Sequence, residues 1–162
     1  MHSNPEKPVV QLRLATVDDV DALLDLFETF FAESGYHDGG IEFDRERAKH
    51  YLTQAISTGH EPHIIAPLPD GSIAGSISYE IDHQFSKKPF ATLGEVYARP
   101  EYRRSGIGRA LIGSAMDMAK HVDHATCLHI PITSGHETVP TLVNAFRRFG
   151  AEQIGIIMRA RL

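Results

Sequence analysis

The stretch that decides the fold reads ATLGEVYA (91–98), RPEYRRS (99–105) and GIGRALIGSAMDMAKH (106–121). Ala91–Ala98 mixes small residues with β-formers and reads as a strand. Arg99–Ser105 is a basic turn in which Pro100 ends strand pairing. A helix starts at Gly106, because Ile107, Ala110, Leu111, Ser114, Ala115 and Met118 recur at three- and four-residue steps. The chemistry gathers at the join. Gly106 and Gly108 carry no Cβ, so the chain turns sharply and lets a ligand approach its amides. The first amides of a helix have no intrahelical partner, and the helix dipole favours an anion there. Arg103, Arg104 and Arg109 add positive charge, so the loop suits a pyrophosphate.

Other loops meet this description in part. A P-loop ends in Gly-Lys-Ser/Thr, which is absent here. A dinucleotide fingerprint places Gly or Ala three residues after Gly108, where Leu111 stands, and the turn from strand to Gly106 is long for that motif. A glycine-capped loop on a solvated basic face remains the plain alternative.

Arg103-Arg104-Ser105-Gly106-Ile107-Gly108 resembles the Gln/Arg-x-x-Gly-x-Gly/Ala signature of the GNAT acyltransferase superfamily, and Glu95–Tyr102 resembles the strand and turn before it. The resemblance implies acetyl-CoA as co-substrate, its pyrophosphate held by the amides of about Arg104–Arg109. Arg103, Ser105, Gly106, Ile107 and Gly108 are thus expected binding residues. It further implies that the backbone around Val96–Ala98 lines the arm of the cofactor.

Working outward, Val9–Leu14 reads as a strand, and Thr16 as an N-cap before a helix carrying Val20, Leu23, Leu24, Phe27, Phe30 and Phe31. Residues 34–40 form a glycine-rich loop, and Asp44 caps a helix over Arg45–Ser57. Pro62–Leu68 and Ser72–Ile81 are strands around the Pro69-Asp70-Gly71 turn. After the central helix come a strand at Ala125–Ile132, an amphipathic helix with Val139, Leu142, Val143 and Phe146 ended by Gly150, and a strand at Gln153–Arg161. This order is similar to that of the GNAT fold. It implies an α/β domain over residues 9–162, preceded by a loose lead-in over 1–8. The expected sheet is mostly antiparallel, splayed between its fourth and fifth strands and flanked by about four helices.

Composition sets the outer limits. A chain of 162 residues suits one domain with a substantial core. A net charge of −5 argues against a general nucleic-acid binder. No apolar run reaches membrane-spanning length, and Met1–Pro8 has no signal-peptide core, so no membrane association and a cytoplasmic location are expected. Cys127 is the sole cysteine, which forbids an intrachain disulfide. His121 and His124 find no Cys or carboxylate pair at ligand spacing, so no metal site is expected.

Acetyl transfer to an amine requires an amine stripped of its proton, a polarised carbonyl and a stabilised leaving thiolate. Glu95 on the central strand is the leading candidate base. Tyr97 lies on the same face by strand alternation, as a second polar handle or as packing. His129 is a lesser candidate. The 33–43 linker, with Glu33, Asp38, Glu42 and Asp44, is a candidate acceptor loop, and Phe30, Phe31 and Tyr36 lie at its entrance.

The sequence departs from the family pattern near its end. Phe146 stands where many members carry a Tyr that meets the departing sulfur, Ala151 replaces a Phe, and Val139 stands near the place of an Asn. Phe has no proton to give. Two readings follow: an N-acetyltransferase acting on a primary amine of a small molecule or protein, or a non-catalytic acyl-CoA-binding module that has lost its acid. Dimers are frequent in the family, which makes a homodimer a candidate assembly.

Overall fold

The structure, a computed structural model, describes residues 11–83, 86–132 and 139–155. Its elements in chain order are β1 (Arg13–Leu14), α1 (Val20–Glu33), α2 (Arg45–Thr58), β2 (His63–Pro67), β3 (Ile73–Asp82), β4 (Phe90–Ala98), α3 (Ile107–His121), β5 (Leu128–His129) and α4 (Val139–Arg147). The five strands lie side by side in sequence order. From β1 to β4 each strand is antiparallel to its neighbour, and β5 joins β4 in parallel. This is the mixed α/β architecture expected from the sequence.

Local chemistry explains the element ends. Thr16 begins a single 3-10 turn, Val17–Asp19, closed by a reciprocal capping box with Asp19, and α1 follows from it. The Asp44 side chain accepts from the Arg47 amide at 3.0 Å, and α2 stops at Gly59 in the left-handed region. α4 ends in a Schellman arrangement: Gly150 at φ 86° donates to Arg147 O at 3.0 Å, and Ala151 donates to Phe146 O at 3.2 Å.

The sheet separates two cores. On one face Ile64, Ala66, Ile77, Tyr79 and Leu93 pack against Ile107, Leu111, Ile112 and Ala115 of α3, with Phe146 of α4. On the other, Ile65, Ile73 and Tyr97 pack against Leu23, Leu24 and Phe27 of α1 and Leu52 of α2.

Three strands differ from expectation. Only Arg13–Leu14 of the first strand is paired, since Ala15 N donates to His63 O at 2.8 Å and the chain then enters the capping turn; residues 9 and 10 lie outside the described residues. The predicted strand Ala125–Ile132 shrinks to Leu128–His129. The chain before it is still leaving α3, with Ala125 N bonded to Ala119 O, and Pro131 has no N–H to offer a ladder. Residues 153–155 are coil, and the rest of the predicted Gln153–Arg161 strand lies outside the described residues.

The short β5 opens the site. β4 and β5 pair only at Ala91–Leu128 and Thr92–His129, while β4 runs on to Ala98 against β3. Past Thr92 the two strands part.

Candidate active site

The gap between the parted strands is a pocket. Leu93, Gly94, Glu95 and Val96 line one wall, and Pro131 and Ile132 the other. Leu142 and Phe146 of α4 also line it, as do Phe30 of α1 and Tyr36. The structure thus brings together the expected base, the neighbouring backbone of the central strand and the residue in the place of the family's Tyr.

A bulge sets the direction of Glu95. Tyr79 pairs with Leu93 and Ile77 with Val96, so Gly94 and Glu95 together oppose Ser78. Ser78 Oγ donates at 2.5 Å to Glu61 Oε1 or at 2.7 Å to Glu95 Oε2. Glycine at position 94 leaves room for these contacts: a Cβ there would press on Ser78 Oγ and lie 2.7 Å from Glu61 Oε1, so one of them would have to shift. Tyr51 of α2 donates its hydroxyl hydrogen to Glu61 Oε2. His63 lies between the acids, Nδ1 3.3 Å from Glu95 Oε1 and Nε2 3.7 Å from Glu61 Oε1. These are charge contacts without aligned hydrogen bonds, and among the described residues neither ring nitrogen has another partner. Burial pushes the His63 pKa down, but Glu95 and then Glu61 outweigh it and hold it above the ordinary histidine value.

Sequence reading found Glu95 but missed Glu61, His63, Ser78 and Tyr51. Two signals were present. Ser76 and Ser78 alternate with apolar residues in β3, and an isolated glycine inside a strand marks a bulge or a close approach.

Tyr97 lies on the α1 side, as alternation predicts, but it does not line the pocket. It packs against Phe30 with ring centroids 5.4 Å apart. Burial, with Glu33 adding to it, pushes its pKa up to about 12, and its buried hydroxyl has no hydrogen-bond partner among the described residues. Arg103 stacks over its ring at 5.5 Å, donates from Nε to Ala98 O at 3.0 Å and pairs with Glu33. Arg103 and Glu33 therefore clamp the end of α1 to the end of β4. His129 lies beside Phe90, with ring centroids 5.0 Å apart, and does not line the pocket.

At the start of α3 the backbone takes left-handed conformations at Arg104, φ 64°, and at Gly106, φ 96°. Ser105 Oγ donates to Tyr102 O at 2.6 Å and fixes the turn. A Cβ at Gly108 would meet no atom within 4 Å beyond its own helix, so nothing among the described residues demands glycine there. Glycine in a helix costs about 1 kcal/mol relative to Ala. A helix N-terminus with exposed Arg104 and Arg109, and with space kept clear at Gly108, fits the diphosphate of coenzyme A.

Among the described residues no three His, Cys, Asp or Glu side chains are placed to hold a metal, and no helix is long and apolar enough to cross a membrane.

Solved structures share the fold at low identity. Glucosamine-6-phosphate N-acetyltransferase from Arabidopsis thaliana is 15% identical with a TM-score of 0.68, over 93% of this chain and 96% of that one. AAC(6')-Iy, in complex with the bisubstrate analogue CoA-S-monomethyl-acetylneamine, is 15% identical with a TM-score of 0.72, over 94% and 97%. A predicted acetyltransferase from Clostridium acetobutylicum, solved with acetyl-CoA, is 14% identical with a TM-score of 0.71, over 93% and 94%. No curated protein sequence matches. Residues 20–150 match the Acetyltransferase (GNAT) family, a span that runs from α1 through the β4–α3 loop to the end of α4, and the chain belongs to that family.

Proposed function

We propose that this chain is an N-acetyltransferase that passes an acetyl group from acetyl-CoA to a primary amine of a small molecule or protein, by direct attack in a ternary complex. Acetyl-CoA supplies the thioester, as is general to the family. Glu95 carries the reading: it is a carboxylate on the wall of the slot, held by Ser78 and flanked by His63. In this reading Glu95 attracts the ammonium form of the acceptor and takes its proton.

The chain's own residues divide the remaining work. The amides of Gly106, Ile107, Gly108 and Arg109 would hold the diphosphate. Ser105 shapes that turn, and Arg104 and Arg109 supply charge. Arg103 contributes as a clamp on Glu33 and Tyr97. The backbone of Val96 and Ala98 would bind the arm, and Phe146 packs beside it. Tyr97 packs behind the slot against Phe30, which lines it. Solved relatives whose names specify a sugar-phosphate or aminoglycoside-type acceptor support an amine acceptor. A homodimer fits family habit.

One observation favours the second reading, a non-catalytic acyl-CoA-binding module. Phe146 lines the slot and has no proton to donate. Loss of one acid–base group lowers a rate by about 10²–10⁴-fold rather than abolishing it, which leaves the enzyme ahead. The test is thiol release from acetyl-CoA over a panel of primary amines, set beside calorimetric binding of coenzyme A. Amine-dependent release supports the enzyme. Binding without release on the whole panel supports the module.

A further inference from the structure

The contacts behind Glu95 pose a question of proton number. Ser78 Oγ carries one hydrogen, yet carboxyl oxygens lie at hydrogen-bond distance on both sides, 2.5 Å to Glu61 and 2.7 Å to Glu95. One contact uses the serine hydrogen. The other needs a hydrogen from a carboxyl, because an oxygen pair that close without one is repulsive. The other side of Glu61 cannot relieve this, since Tyr51 gives its own hydrogen to Oε2. Burial sharpens the requirement. Glu61 is 4% exposed and His63 is 2% exposed, and two like charges sharing such a site cannot both persist cheaply.

The groups facing the cluster come from every neighbouring element: Tyr51 from α2, Glu61 and His63 at β2, Ser78 and the exposed Glu80 from β3, Glu95 from β4, and from α1 the ring of Phe27, with centroid 6.2 Å from that of His63. A protonated His63 balances a carboxyl pair that holds one proton, which leaves the buried group neutral.

We propose that Glu61 and Glu95 share one proton through Ser78, and that Glu61 and Tyr51 form the outlet by which a proton taken up at Glu95 reaches solvent. The role in turnover rests on the amine-acetylation reading; the shared proton does not. In the resting form Glu61 is the acid and donates to Ser78 Oγ, Ser78 donates to Glu95 Oε2, and Glu95 is the ionised base at the slot. When Glu95 takes the amine proton, the Tyr51 hydroxyl turns its hydrogen from Glu61 Oε2 to water, the Glu61 carboxyl turns its acid hydrogen from Ser78 to the Tyr51 oxygen, and that hydrogen moves onto Tyr51 as the Tyr51 hydrogen moves onto water. Tyr51 is 50% exposed, so that transfer ends in solvent. The pair then has its proton on Glu95. A joint shift of two hydrogens, Glu95 to Ser78 and Ser78 to Glu61, restores the resting form. The net change is one proton moved from the amine to water. Glu61, Ser78 and Tyr51 act through Glu95 and are positioning residues.

The test is infrared difference spectroscopy on the full ligand-free chain with isotope-labelled glutamate. Wild type at pH 7 is expected to show a protonated-carboxyl band, lost in Glu61→Gln and in Glu95→Gln. Tyr51→Phe, at an exposed position, should shift that band because a donor to Glu61 is gone. Turnover of an acetylated amine by Tyr51→Phe should fall by about tenfold, with KM steady and the rising limb of its pH profile displaced. A wild type without the band, or a band surviving in both glutamine variants, overturns the shared proton. A band unmoved in Tyr51→Phe, or an unchanged pH profile, overturns the outlet. If no amine is acetylated, the amine-acetylation reading fails, while the infrared result still decides the proton pair and its link to Tyr51.

Discussion

The two faces of the central sheet are built by the same strands and differ in almost every physical respect. Toward α3, β2 to β4 present Ile64, Ala66, Ile77, Tyr79 and Leu93. The one hydroxyl among these is satisfied, since Tyr79 OH donates to Asp123 Oδ2 at 2.6 Å. Toward α1 and α2 the alternate residues include His63, Ser76, Ser78, Glu95 and Tyr97. Ser76 Oγ, Tyr97 OH, both His63 ring nitrogens and Glu95 Oε1 are buried on that face without a hydrogen-bond partner among the described residues. Buried polar atoms left unpaired cost stability. Strand alternation therefore sorts the residues: one face carries apolar core, and the other combines its own core with buried polar groups that cost stability and that the proposed chemistry would use.

This contrast can be broken at several points. Leu111 is fully buried against the apolar face. Leu111→Ala should cost about 2–5 kcal/mol in chemical denaturation, with kcat of the surviving folded fraction unchanged. On the other face Gly94→Ala should cost less, about 1–3 kcal/mol, because one methyl is forced against the Ser78–Glu61 contact. It should lower kcat out of proportion to that loss. Equal effects of the two variants on kcat would erase the distinction between faces.

Phe146 belongs to both regions, since it is buried with the α3 core and lines the slot. Phe146→Tyr adds a hydroxyl at that boundary. If the added oxygen points into the slot, kcat rises where chemistry limits the rate and the melting temperature holds. Loss of roughly 1–3 kcal/mol without a rate gain would assign the residue to the core alone.

The smallest effect is a dependence on pH. The folded-state pKa of His63 lies above its unfolded value. Its charged form therefore contributes stability that is fully present below the ordinary histidine value and fades as pH rises through the folded value. The stability difference between wild type and His63→Leu, from denaturant titrations at stepped pH, should move in the mutant's favour as pH climbs through that window. A difference independent of pH would mean that His63 is held neutral.

Much of the architecture could be read from the chain because its signals are local. Helical spacing marked α1 and α3, Asp44 marked the start of α2, and Gly106 with Gly108 marked the loop before α3. The failures are non-local. The apolar run 125–132 resembles a long strand, and apart from Pro131 nothing within it shows that pairing with β4 lasts only from Ala91 to Thr92. Arg103 reads as a phosphate-binding charge, and nothing local shows that folding brings Glu33, seventy residues away, beside it. The cluster at Glu61, His63, Ser78 and Glu95 exists only through strand register and one bulge. Shifting β4 by a single residue would send Glu95 to the apolar face.

The central claim is that Glu95 is the base on the slot wall. Its most direct test is the pH dependence of kcat for Glu95→Gln beside wild type, on an amine the enzyme acetylates, with coenzyme A binding measured on both. The account predicts that kcat falls by about 10²–10⁴-fold, that the rising limb set by the base disappears, and that coenzyme A affinity stays near wild type. A variant that keeps wild-type rates at every pH would contradict it.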